Sequence, residues 1–125
     1  MTKTHVDIDP ELDSLVGEWH TLTGAASMLG LPAGRVKQWV KEGKLVAAYR
    51  AVGGGPQVPA AFFADGEIIK GLPGTLTLLA DAGYDDVAAL RWLFTEDDTL
   101  PGSPVQALRE NRGTEVRRRA QALAF

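Results

Sequence analysis

Between positions 35 and 41 the chain carries Arg35, Lys37, Gln38 and Lys41, three cations and one amide on a single short segment. Such a set can bind a polyanion that also presents hydrogen-bonding edges. Lysine and arginine neutralise phosphates or donate to guanine, and glutamine pairs with adenine. Laid out at about 100° per residue, Val36, Trp39 and Val40 fall on one side of a helix. Gly34, Gln38 and Lys41 fall on the other, flanked by Arg35 and Lys37. A helix docked by its apolar stripe would present those groups outward, with the bare backbone of Gly34 allowing close approach and its first amides free to hold a phosphate. A cationic helix face is also ordinary solvated surface, so the surrounding elements decide between the two readings.

Those elements come in a telling order. Thr23 is a good N-cap, followed by Ala25, Ala26, Met28 and Leu29 at helical spacing and by Gly30, suited to the left-handed residue that closes a helix. A turn over Gly30–Pro32 leads into the cationic helix, predicted over 33–42 and closed by Gly43. The stretch Lys44–Arg50, with Leu45, Val46 and Tyr49, reads as a strand; Gly53, Gly54, Gly55 and Pro56 break it, and Gln57 and Val58 resume extended structure. A hairpin over 44–58 after a recognition helix is a wing. Lys44 is then a further phosphate contact, and Arg50 near the tip is placed to reach the sugar-phosphate backbone or minor groove. The three glycines lack the Gly-Lys-Ser/Thr ending and the following helix of a nucleotide-binding loop. The fold class expected is mainly α with a small β-hairpin: a winged helix-turn-helix followed by a C-terminal helical subdomain. The DNA-binding residues expected are Thr23, Gly34, Arg35, Lys37, Gln38, Lys41, Lys44 and Arg50.

Charge distribution supports this reading better than the net charge of -3. Cations outnumber acids over 19–50, where Glu42 is the lone acid, and again over 104–125; residues 1–18 and 51–103 are acidic. Modest, salt-dependent binding of double-stranded DNA follows from a reading head with so few phosphate contacts. With no cysteine there is no disulfide, thiol chemistry or thiolate metal site. His5 and His20 lack partners for a metal or general-base role, Asp97 and Asp98 read as a solvated pair, and Ser103 has no histidine partner. No enzyme, cofactor or metal is therefore expected. No stretch approaches the ~20 apolar residues of a membrane span, and the N-terminus lacks a signal-peptide pattern. A cytoplasmic protein with no membrane partner is the expectation.

Three regions are expected: an acidic flexible tail over 1–18, with Trp19 as an anchor onto the core; the winged helix-turn-helix over 19–64; and a C-terminal helical domain over 65–125. The last holds a helix opened by Pro73 and stopped by Gly83, one capped by Asp85 or Asp86, one capped by Ser103, and a final one from Thr114. Their many leucines and alanines imply packing on the winged helix, or self-association as a homodimer or with a protein partner. Arg117, Arg118 and Arg119 sweep around that last helix, so at most two can face a common partner.

The runs Gly-Leu-Pro-Gly-Thr-Leu-Thr-Leu-Leu-Ala-Asp-Ala-Gly-Tyr (71–84), Arg-Trp-Leu-Phe-Thr (91–95), Pro-Val-Gln-Ala-Leu (104–108) and Arg-Arg-Ala-Gln-Ala-Leu-Ala-Phe (118–125) resemble an actinobacterial family of small winged helix-turn-helix DNA-binding proteins. The mycobacterial member of that family is a substrate of serine/threonine protein kinase L. The resemblance covers about residues 20–125 and implies DNA binding by the winged helix, regulation of transcription, and control by phosphorylation of an N-terminal threonine. Thr2 and Thr4 are the candidates, in a tail that does not itself match the family closely. The helix-turn-helix alone also resembles excisionase and mercury-resistance-regulator readers, and residues 92–125 resemble the toxin-binding domain of certain antitoxins. An antitoxin-like or other protein-interaction module using the C-terminal helices is the alternative reading.

Overall fold

A computed structural model describes residues 7–124 of the chain; Thr2, Thr4 and His5 lie outside the described residues. Helix ends sit where capping chemistry puts them. Asp9, in extended conformation, accepts a hydrogen bond from the Leu12 amide at 2.7 Å, and Pro10 occupies the first turn, where its missing N–H costs nothing; helix α1 runs Pro10–Val16. Strand β1 (Trp19–Thr21) leads directly into α2 (Leu22–Leu29), and α3 (Arg35–Lys41) follows a short turn. Both α2 and α3 close with paired reverse hydrogen bonds around a left-handed glycine. Leu31 N–H reaches Ala26 O around Gly30, and Lys44 N–H reaches Trp39 O around Gly43.

The hairpin after α3 is short: β2 is Ala48–Tyr49 and β3 is Pro56–Pro59. The strand expected over 44–50 is confined to two residues, because Leu45 and Val46 are buried in the loop before it. The sheet order is β1-β3-β2, all antiparallel, with His20 opposite Val58 and Ala48 opposite Gln57. The strand β1 was not foreseen in the sequence; Trp19, expected only as an anchor, pairs with Pro59.

A 3₁₀ turn (Ala60–Phe62) then leads to a second hairpin, β4 (Phe63–Ala64) and β5 (Glu67–Ile68). Asp65 and Gly66 both take positive φ, 54° and 77°, as a two-residue hairpin turn of the primed type requires. Four helices complete the chain: α4 (Leu72–Asp81), α5 (Asp86–Phe94), α6 (Pro104–Arg109) and α7 (Gly113–Ala122). Asp85 caps α5 and Ser103 caps α6, through hydrogen bonds from the amides of Ala88 and Gln106.

The flexible tail expected over 1–18 is corrected over its described part. Ile8 donates its amide to Tyr49 O at 2.8 Å and is buried, while Leu12 is wholly buried on a helix packed against α5. Burying a leucine side chain contributes about 1.5–3 kcal/mol, enough to seat a short helix that is already capped. One apolar core runs through both halves of the chain. Phe62 stacks tilted on Phe94 of α5, their ring centroids 5.9 Å apart. Arg109 of α6 donates to Ala61 O and Phe63 O, and Arg91 of α5 donates to Asp9 and Glu11 at the start of α1. The C-terminal helices are therefore packed on the winged helix.

Candidate nucleic-acid interface

Helix α3 is held by its apolar side. Val36 is wholly buried against α2, while Trp39 and Val40 are half-buried in the core around it. That docking turns Gly34, Arg35, Lys37, Gln38 and Lys41 to solvent, and all five are exposed. The face is the one that the helical spacing predicts, although the helix proper begins at Arg35 rather than at 33 and Pro32 lies in the turn. Gly34 occupies the N-cap, where no side chain bonds the first turn. Nothing lies within 4 Å of where its Cβ would be, so the opening over the helix start is clear.

The cationic and amide groups on this face divide into two sets. Among the described residues, none makes a hydrogen bond or ion pair with the side chains of Arg35, Lys37 or Lys41. Gln38 and Lys44, by contrast, both turn to Glu42: the Gln38 amide donates at 3.0 Å and the Lys44 ammonium lies at 3.3 Å. The hydrogen bond from Gln38, and then that from Lys44, hold the Glu42 carboxyl below its ordinary pKa. The lone acid of the basic segment sits at the end of the reading helix, a place that charge counting alone does not give it. Its i, i+4 spacing to Gln38 was the available signal.

Two residues of the expected set are placed differently from the expectation. Thr23 does not cap α2. Thr21 does, accepting the Gly24 amide at 2.9 Å, because pairing with β3 fixes Thr21 as extended and lets the helix start immediately after it. A Cβ on Gly24 would stand 2.8 Å from the Thr21 hydroxyl oxygen, so glycine there keeps the cap open. Thr23 remains an exposed residue of the first turn.

Arg50 is not presented at the wing tip. Its guanidinium makes a two-pronged ion pair with Asp13 of α1, Nε to Oδ2 at 2.8 Å and Nη2 to Oδ1 at 3.0 Å. Nη1 donates to the Gln57 side chain at 3.4 Å, and the group lies 5.6 Å from the Trp19 ring centroid. Asp13, through its hydrogen bond above all, raises the Arg50 pKa further above the ordinary arginine value. The rest of the tip, from Ala51 to Gly55, is exposed and uncharged.

Of the last-helix arginines, Arg119 donates to Thr99, while Arg117 and Arg118 are exposed. Asp97 is occupied by Thr99, whose hydroxyl and amide lower its pKa. Among the described residues no group of three His, Asp or Glu side chains is placed to hold a metal ion, and no helix is long and apolar enough to cross a membrane.

Comparison with known proteins agrees with this geometry. Residues 7–63 match the model of the winged helix-turn-helix domain of the DNA-binding protein Rv2175c, and residues 69–124 match the model of the Rv2175c C-terminal domain of unknown function. The chain is 44% identical to the DNA-binding protein Rv2175c of Mycobacterium tuberculosis (strain ATCC 25618 / H37Rv) over 119 residues, covering 85% of this chain and 80% of that protein. It superposes on the NMR structure of Rv2175c with a TM-score of 0.78 at 40% identity, covering 94% of this chain and 85% of the other.

Proposed function

The chain belongs to the Rv2175c family of winged helix-turn-helix proteins, and from that premise we propose that it binds double-stranded DNA in the cytoplasm as a regulator of transcription. The observation that carries this reading is the outward face of α3, where Arg35, Lys37 and Lys41 are exposed and, among the described residues, make no side-chain hydrogen bond or ion pair. Unpaired cations lose nothing inside the protein when they meet phosphate, and each one that neutralises a phosphate releases condensed counterions. Helix α3 enters the major groove, with Gln38 as the residue best suited to a base edge and Lys44 as a phosphate contact beside it.

Phosphorylation of Thr2 or Thr4 is the control we attach to this activity. A phosphate there adds about -1.5 to -2 charge to a segment that continues into Asp7, Asp9, Glu11 and Asp13, and so opposes a polyanionic partner.

The test is fluorescence anisotropy of the full chain against a pool of genomic duplex fragments at low and moderate salt, with Arg35, Lys37 and Lys41 changed together to alanine as the comparison. Binding that weakens with salt and is lost in the triple variant is expected. Absence of binding by the unaltered chain, or full binding by the triple variant, would overturn the assignment.

A further inference from the structure

The cation nearest the wing tip, Arg50, is bound internally, and the carboxylate that binds it is not part of the wing. Asp13 projects from α1, separated from Arg50 by 37 positions in sequence, and meets it as a parallel two-point pair. Fork-to-carboxylate pairing of this kind has the strongest geometry open to an arginine. Both side chains are only 23% exposed, so water screens the pair less than it screens the other ion pairs of the molecule. Gln57 in β3 and the Trp19 ring close two further sides of the guanidinium. A DNA phosphate would offer Arg50, through its two non-bridging oxygens, the kind of two-point anionic partner that Asp13 already supplies.

We infer that α1 is a latch on the wing: Asp13 occupies Arg50 as an internal stand-in for a DNA phosphate, and the wing gains its backbone contact only when that pair opens. The inference rests on the DNA-binding reading above. Helix α1 is suited to this role because its seat does not depend on the pair. Leu12 is wholly buried, Asp9 caps the helix, and Arg91 of α5 holds Asp9 and Glu11. The Trp19 indole donates to the Asp13 carbonyl oxygen rather than to its carboxylate. The carboxylate can therefore let go of Arg50 while the helix stays docked. Closed, the wing presents an uncharged tip from Ala51 to Gly55; open, it adds one guanidinium directed at the backbone.

The latch predicts a specific non-additivity. Asp13→Asn and Asp13→Ala, the second removing any acceptor that the amide retains, should tighten duplex binding by about three- to tenfold at moderate salt and steepen the salt dependence by about one phosphate contact. Arg50→Ala alone should change affinity by less than about twofold, since the latched group contributes little contact. In the Asp13→Ala background, Arg50→Ala should remove the whole gain. An amide NMR spectrum of each full-length variant checks that α1 remains seated, through the Leu12 and Trp19 signals. Unchanged or weaker binding by both Asp13 variants, or a gain that survives in the double variant, would overturn the latch while leaving the α3 reading intact. No binding by the unaltered chain and by the Asp13 variants alike would overturn both.

Discussion

On α3 the guanidinium of Arg35 and the ammonium groups of Lys37 and Lys41 stand in solvent, whereas on the wing the guanidinium of Arg50 lies between Asp13, Gln57 and Trp19. Both regions show the sequence pattern of a DNA contact, basic residues beside exposed backbone. The difference comes from what each element packs against. Helix α3 is docked through Val36 on α2, a helix with no charged side chain, so the surface it packs on brings no acid to its cations, and Glu42 at its own end is the carboxylate that Arg35 senses. The wing lies along β1 and beside α1, which brings a carboxylate with it. A basic residue is available to a partner when its local neighbours and its distant ones both leave it alone, and only the local ones can be read from spacing.

The largest effect that would separate the two regions is loss of affinity from α3. Changing Lys37 and Lys41 together to alanine should weaken binding to every duplex by about ten- to a hundredfold and reduce the salt slope by about two, with the unfolding transition unmoved, because neither side chain supports the fold. Anisotropy titrations at several salt concentrations beside thermal unfolding would measure both. Retained affinity would mean that the free cations of α3 are solvated surface and that the contrast has no functional meaning. Gln38→Ala should instead alter which sequences are preferred more than how tightly the pool is bound.

Arg50→Ala should give the reverse pattern: stability lower by about 1–2 kcal/mol from the lost charge-assisted bonds, and affinity for DNA nearly unchanged. Denaturant unfolding of the full chain reads the first quantity and anisotropy the second. A loss of affinity without loss of stability would mean that Arg50 already serves the wing and that its pair with Asp13 adds nothing to the free fold.

The elements set by local chemistry were legible in the sequence, and those set by distant pairing were not. Gly30, Gly43 and Gly83 end helices as their neighbours suggest, Asp85 and Ser103 cap the helices that follow them, and Asp65-Gly66 makes the expected turn. The outward face of α3 was legible for the same reason, since helical periodicity alone orients it. Strand β1 exists because β3 is there to pair with it, and α1 is seated by Leu12 and Arg91 rather than by its own propensity. No local signal announces β1, and the Asp9-Pro10 cap that opens α1 does not tell what seats it. The cap of α2 shows the cost of missing a strand: with Trp19–Thr21 unassigned, spacing points to Thr23, and the pairing that extends Thr21 is invisible. Thr21→Ala should cost about 1 kcal/mol of stability and Thr23→Ala only a few tenths. Equal losses in thermal unfolding would mean that the β1 pairing does not set the start of α2.

Glu42 offers the finest test of the contrast, because it is the one acid placed on the favourable side of it. It holds Gln38 and Lys44 back in miniature, as Asp13 holds Arg50, but both of its bonds are exposed to water. Glu42→Gln should therefore raise affinity by only about threefold, through removal of a repelling charge and release of Lys44. The same carboxylate leaves a trace in acid. Its folded pKa lies below the ordinary glutamate value of 4.5, so the unfolded chain takes up the proton first as pH falls. Its contribution to stability is present above that value and fades as pH drops through the lowered one. Thermal midpoints of the unaltered chain should thus fall more steeply below pH 4.5 than those of Glu42→Gln. Parallel curves together with a normal rise in affinity would show that the charge of Glu42 acts on DNA alone. Parallel curves with unchanged affinity would show that α3 is indifferent to its only acid, which would weaken the electrostatic account of its face.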